Sequence, residues 1–248
     1  MKIKPVRFLR KLLSPAKQAA AWPADFDNFH KEIIEKVRPY TMTSNERLFA
    51  LIESVKYIVS NNIEGDIVEC GVWKGGSMMA AAETLRKLGN TNRQLYLYDT
   101  YAGMTPPTDE DKAHNNETAA ELLEKDIANK SDSVVWAYSS LEEVKANVSI
   151  IDYPAHLIHF IEGDVLKTIP GTASEQIALL RLDTDWYEST KHEMIHLYPR
   201  LVKNGALIID DYGFWKGSRQ AVDEYIAEHK VQILLNRIDD TGRVAIKS

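Results

Sequence analysis

The segment IALLRLDTDWYEST, residues 177–190, decides how this chain folds. Its first six residues form an apolar run broken by one arginine, which is the composition of a strand buried on both faces. The run ends in Asp183 and Asp185, and Trp186 and Tyr187 follow directly. A carboxylate is costly to bury unless it is paired or binds a cation. The two acids therefore either cap the next helix or take part in chemistry.

Working outward, the same strand-then-helix unit recurs. DIVEC (66–70) reads as a strand and GGSMMAAAETLRKLG (75–89) as a helix closed by Gly89. QLYLYD (94–99), LIHFIEGD (157–164) and GALIIDD (205–211) are further strands. The spacing predicts helices over 44–62 with Ser44 or Asn45 as N-cap, over 115–130, over 188–201 and over 218–229. Ser140 and Glu143 have the spacing of a capping box. Residues 100–115, with Gly103, Pro106 and Pro107, read as a loop long enough to act as a lid. QILLNR (232–237) and RVAIK (243–247), joined by DDTG, read as a closing hairpin. Five alternations predict an α/β, doubly wound, mostly parallel seven-stranded sheet whose last strand is inserted antiparallel. In such sheets ligands bind at the carboxyl ends of the strands, where strand order reverses.

The 248 residues suffice for one large domain. Cys70 is the single cysteine, so no intramolecular disulfide forms and a reducing, cytoplasmic setting is expected. The formal net charge of −6 argues against a general nucleic-acid binder. Lys2, Lys4, Arg7, Arg10, Lys11 and Lys17 make the N-terminus basic, a solvated or partner-docked arm or a weak contact with an anionic membrane. No run is long enough to span a membrane.

The strand ends carry the chemistry. Gly71, Gly75 and Gly76 after the first strand permit tight turns, but their spacing is neither a dinucleotide nor a P-loop fingerprint. Glu69 beside them would repel a phosphate and welcome an ammonium group. Asp99 ends the second strand, where an acid accepts hydrogen bonds from ribose hydroxyls. Asp164 ends the third and either reaches an adenine edge or serves as an ordinary turn residue. Together these suit a nucleoside that carries an ammonium and no phosphate, a description that fits S-adenosylmethionine. Asp183 and Asp185 end one strand, and Asp210 and Asp211 end its neighbour. Converging carboxylates with no cysteine near them suit Mg²⁺ or a similar hard cation, with helix capping as the alternative. His192 and His196 lie too far into the next helix to be expected as ligands. Trp186 and Tyr187 either wall the acceptor or pack within that helix.

YTMTSNERL, GDIVECGVWKGGS, LYDTYAGMTPPTDED, LLRLDTDWYESTKHE and LIIDDYG together resemble the macrocin O-methyltransferase family over residues 39–247. The resemblance implies a class I, Rossmann-like methyltransferase domain over 39–248, preceded by a basic arm and helix over 1–38. It implies Mg²⁺-dependent methyl transfer from S-adenosylmethionine to a hydroxyl, typically on a deoxysugar. Carried over by motif, Asp183, Asp210 and Asp211 hold the metal and Asp185 is the general base. Thr41, Met42, Glu69, Cys70, Gly71, Val72, Trp73, Asp99, Thr100, Tyr101, Ala102, Gly103, Asp164 and Val165 line the cofactor site. The expected partner is a small-molecule hydroxyl acceptor, a glycoside, and the expected assembly a homo-oligomer. A catechol or other phenol is the alternative acceptor. A glycosyltransferase would explain Asp183-x-Asp185 but has no use for Glu69 or the second acid pair, and a nicotinamide enzyme lacks its pyrophosphate turn.

Overall fold

Fully apolar strands need cover on both faces, and the helices between them supply it. The computed structural model describes residues 22–131 and 133–248, so the basic residues of the N-terminal arm, Lys2 to Lys17, lie outside the described residues. The elements are α1 (Asn28–Val37), α2 (Asn45–Ser60), β1 (Asp66–Cys70), α3 (Gly76–Lys87), β2 (Leu95–Asp99), α4 (Ala119–Lys125), α5 (Leu141–Val148), β3 (Ile158–Glu162), α6 (Val165–Thr168), β4 (Ile177–Leu182), α7 (Tyr187–His196), β5 (Leu201–Ile209), α8 (Lys216–Glu228), β6 (Asn236–Arg237) and β7 (Arg243–Ile246).

The strands form one seven-stranded sheet in the order β3-β2-β1-β4-β5-β7-β6. β1 to β5 pair in parallel, and β7 is antiparallel to both β5 and β6. Strand order reverses between β1 and β4, so the carboxyl ends of these two flank the predicted crevice. Alternate residues divide the core. Ile67, Leu95, Leu179 and Ile208 face α1, α2, α3 and α5, meeting Ile33, Ile52, Met79 and Val144. Val68, Tyr98, Leu180 and Leu207 face the other layer, meeting Val165, Met194 and Val222. Each fully buried Leu or Ile contributes roughly 2 kcal/mol relative to its exposed state. The helix predicted within residues 1–38, α1, belongs to the first of these clusters through Ile33, Ile34 and Val37. A third, smaller cluster joins Ala113, Ala119 and Leu123 to Trp186 and Trp215.

Several expectations change in detail; the predicted 188–201 helix, for one, ends at His196, and β5 opens at Leu201. The predicted 115–130 helix is α only over Ala119–Lys125, with a 3-10 turn at Ile127–Asn129. Its N-terminus holds the complete capping box, Thr118 with Glu121. At Ser140 only half of the predicted box forms, because the Glu143 carboxylate accepts from Ser139 Oγ at 2.9 Å instead. The 232–237 strand shrinks to Asn236–Arg237. It is the sheet edge, where a short β7 is its sole ladder partner and Leu234 stays exposed.

Candidate active site

At the reversal point the turn that follows β1 and the end of β4 meet backbone to backbone. Gly71 has φ +84°, and a Cβ there would overlap the Asp183 carbonyl oxygen. The Asp183 N–H donates to Cys70 O at 2.8 Å, and the Asp210 N–H to Leu182 O at 2.9 Å. These bonds extend the ladder just past the last paired residues, and so they hold the acids that follow β4 and β5 at one rim.

Above that rim lies a cavity of about 360 Å³. Of the expected residues, Thr41, Met42, Gly71, Val72, Trp73, Asp99, Thr100, Gly103, Asp164, Val165, Asp183, Asp185, Asp210 and Asp211 line it. Glu69, Cys70, Tyr101 and Ala102 do not. Glu69 and Cys70 are strand residues buried beneath the rim, and the Tyr101 hydroxyl turns back to donate to Leu97 O at 3.0 Å. Among the described residues the lining carries six aspartates and one basic residue, Arg47. Such a wall favours a cationic ligand and disfavours a phosphate.

Arg181, the interruption in the apolar run, is the centre of the acid cluster. It is 3% exposed. Nη1 donates to Glu69 Oε1 and to Asp183 Oδ2, both at 2.7 Å. Nη2 donates to Asp210 Oδ1 at 2.5 Å and to Thr43 Oγ1 at 3.2 Å. Glu69 thus meets an internal guanidinium, where the sequence suggested a ligand's ammonium. Its other oxygen is buried without a partner, and burial pushes its pKa up to about 7 against the pull of Arg181. Arg47 on α2 also donates to Asp210, and to Asp239 at 2.9 Å. Sequence reasoning assigned neither arginine. Arg181 left a signal, a cation inside an apolar strand in register with Glu69. Arg47 left none, because its partners lie far away in the chain.

Asp183, Asp185 and Asp211 each offer a carboxylate oxygen within 4.8 Å of the others, whereas the carryover had grouped Asp210 with Asp183 and Asp211. The Asp210 carboxylate is turned to Arg181 and Arg47 instead. Asp211 Oδ2 is buried with no hydrogen-bond partner. Burial pushes Asp185 up to about 7. Asp183 and Asp211 are also held well above the ordinary carboxylate range, first by burial. Three carboxylates that resist being charged together, one of them with an orphaned oxygen, form a donor set that a hard cation satisfies. Asp185 adopts φ +68°, a left-handed conformation that Asp tolerates better than most residues.

Asp99, expected to face a ribose, has partners within the chain. Its carboxylate accepts the backbone N–H groups of Val72 at 2.7 Å, Trp73 at 3.1 Å and Tyr101 at 2.8 Å, so it pins the glycine turn to β2. Asp164 caps α6, accepting from Leu166 N at 3.0 Å. Trp186 and Tyr187 do not wall the cavity. Trp186 is 2% exposed beneath residues 103–118, and the Tyr187 hydroxyl bonds Glu224 at 2.7 Å. Phe214 and Trp215 line the cavity in their place. His192 bonds Ile169 O at 2.9 Å, away from the acids.

The family model for the macrocin O-methyltransferases (TylF) matches residues 16–246. The chain belongs to the macrocin O-methyltransferase family. Its match begins further toward the N-terminus than the motifs alone indicated. The 8-demethyl-8-(2,3-dimethoxy-α-L-rhamnosyl)-tetracenomycin-C 4'-O-methyltransferase of Streptomyces olivaceus is 32% identical over 203 residues, covering 82% of this chain and 74% of its own. The demethyldecarbamoylnovobiocin O-methyltransferase of Streptomyces niveus is 30% identical over the same length and shares of each chain. Among solved structures, the O-methyltransferase NovP superposes with a TM-score of 0.71 at 31% identity, over 84% of this chain and 82% of that one. The enzyme is thus an O-methyltransferase of the family's Rossmann-like class, and the family implies S-adenosylmethionine as methyl donor.

Proposed function

We propose that this enzyme methylates a hydroxyl of a sugar or glycosylated small molecule, with Mg²⁺ at the aspartate rim. The observation that carries the reading is the convergence of Asp183, Asp185 and Asp211 beside a cavity walled by acids. The relatives' names support the acceptor class, since one of them names a rhamnosyl tetracenomycin.

The site fits both groups. Asp183 and Asp211 are the metal ligands we assign, consistent with a small hard ion that keeps most of its positions for water and acceptor oxygens. Asp210 stands behind them, held by Arg181 and Arg47. The donor supplies an activated sulfonium methyl, and the ion supplies Lewis acidity that makes an acceptor hydroxyl easier to deprotonate. Asp185 would take the proton of the acceptor hydroxyl, and the donor would supply the methyl, its sulfonium leaving as a neutral thioether. Its place beside Asp183 and Asp211 puts it within reach of a hydroxyl held there. Thr41, Met42, Val72, Trp73, Asp99, Asp164 and Val165 bind the donor. Phe214, Trp215, Met104 and Val135 exclude water from the acceptor side. The lone buried Cys70 supports a cytoplasmic setting, and no described helix is long and apolar enough to cross a membrane. A homo-oligomer is the assembly we carry over from the family.

The test is transfer of labelled methyl from S-adenosylmethionine to a panel of rhamnosyl glycosides and catechols, with Mg²⁺ and with chelator. Glycoside methylation that stops on chelation is expected. Methylation confined to catechols would overturn the acceptor class, and full activity under chelation would overturn the metal.

A further inference from the structure

Neither α7 nor α8, the helices that follow the two acid motifs, has a side-chain N-cap of its own. A helix start leaves its first N–H groups unmet, and an absent cap costs about 1 kcal/mol. Here the loop over 103–118 meets them from outside. Asp111 Oδ1 accepts the Tyr187 N–H at 2.7 Å, and the next residue's carbonyl, Lys112 O, accepts the Lys216 N–H at 2.8 Å. Adjacent loop residues thus hold the first N–H of both helices.

Asp111 is built in from every side. It is fully buried. Its Oδ2 accepts from Thr108 N at 2.7 Å and Thr108 Oγ1 at 2.9 Å, and its carbonyl accepts from Ala119 N at 2.8 Å. Oδ1 also presses on α8 where Gly217 stands. A Cβ on Gly217 would overlap it and would come within 3.1 Å of Tyr187 N. The helix needs no glycine for its own backbone, since Ala has the higher helix propensity. The close approach of the carboxylate explains it. Around this point Trp186 Nε1 donates to Thr105 O at 2.9 Å, and Trp186 meets Trp215 edge-to-face at 4.9 Å.

One residue, Trp186, separates Tyr187 from Asp185. On the other strand, the Phe214 and Trp215 N–H groups both bond Asp211 O at 3.0 Å, so the start of α8 is tied to Asp211. We propose that Asp111 is a positioning residue for methyl transfer: without touching the cavity, it locks the turns that carry Asp185 and Asp211 in register. This rests on the reading of those acids as the metal and proton-transfer site. A supporting contact of this kind is worth about 10–100-fold in metal affinity or activity.

The test uses D111A, D111N, G217A and the D111A/G217A double variant of the full chain. It measures Mg²⁺ and S-adenosylmethionine affinities by calorimetry, amide exchange at Tyr187, and methyl transfer to a rhamnosyl glycoside. D111A and G217A should each weaken Mg²⁺ binding and lower kcat by about 10–100-fold. Donor affinity should stay within about twofold, because Asp111 touches no residue assigned to the donor. Tyr187 exchange should accelerate while that of residues 66–70 holds. D111N, which keeps one carbonyl acceptor, should fall between. The double variant should be no worse than D111A, since both substitutions break one contact. Wild-type-like Mg²⁺ affinity and Tyr187 exchange in folded D111A, or additive losses in the double variant, overturn the proposal. A wild-type chain that neither binds Mg²⁺ nor transfers methyl overturns the enzymatic reading and this proposal with it. Wild-type transfer with D111A unaffected overturns this proposal alone.

Discussion

Arg181 on β4 and Glu69 on β1 meet at 2.7 Å in the middle of the sheet, with both side chains buried. The same guanidinium serves Asp183 and Asp210, so one internal cation faces three carboxylates. Removing one partner of a buried ion pair strands the others. Arg181→Met should therefore lower the unfolding free energy by about 3–5 kcal/mol. Urea denaturation measures it, and a loss under about 1 kcal/mol would show that the acids do not depend on Arg181.

Asp185→Asn preserves the shape of the β4 turn and removes the proton acceptor. Donor affinity by calorimetry should be unchanged while single-turnover methyl transfer falls at least about 100-fold. Near wild-type turnover would remove Asp185 from the mechanism.

Asp210 and Asp211 are adjacent in sequence but turned to different partners. Asp211→Asn should weaken Mg²⁺ binding more than Asp210→Asn does, because Asp211 holds the orphaned oxygen and Asp210 is held by two arginines. Asp210→Asn should lose more folding stability, since it leaves both guanidiniums short of a partner. Equal losses of Mg²⁺ affinity would restore Asp210 as a direct ligand.

Glu193 on α7 is buried, with Thr184 Oγ1 at 2.9 Å, and burial pushes its pKa up from 4.5 to about 8. The folded state therefore holds a proton that the unfolded chain releases. The stability this contributes is complete below about pH 4.5 and is lost as pH rises through about 8. In that window the slope reaches at most about 1.4 kcal/mol per pH unit. Glu193→Gln should remove it, giving a Tm above wild type at pH 8 and a flatter Tm profile between pH 5 and 8. Parallel profiles for the two proteins would refute the assignment.

The sheet was legible because its strands are apolar runs ending in acid, a pattern set by local composition. The edge strand β6 was over-read, since an apolar run such as ILL also suits residues that dock on a core without ladder partners, as Ile233 and Leu235 do. The positions of the site residues at strand ends were legible for the same reason as the strands. Their directions were not. Trp186 and Tyr187 follow the acids in sequence, yet a helix begins between them and turns both away from the cavity, leaving Phe214 and Trp215 to line it.

By itself, then, the sequence determined the doubly wound sheet, the family, and a rim where β4 and β5 present their acids. Period-two burial and acid at strand ends are local properties, and a single chain displays them. Only the tertiary structure decided which acids share a point and which are neutralised within the protein. Asp210 turns to Arg181 and Arg47, Glu69 is buried under Arg181, and Asp111 reaches from a distant loop to cap α7. Those partners are separated along the chain by 29 to 163 residues. Side-chain direction at such range is set by what packs opposite, and no local pattern encodes it.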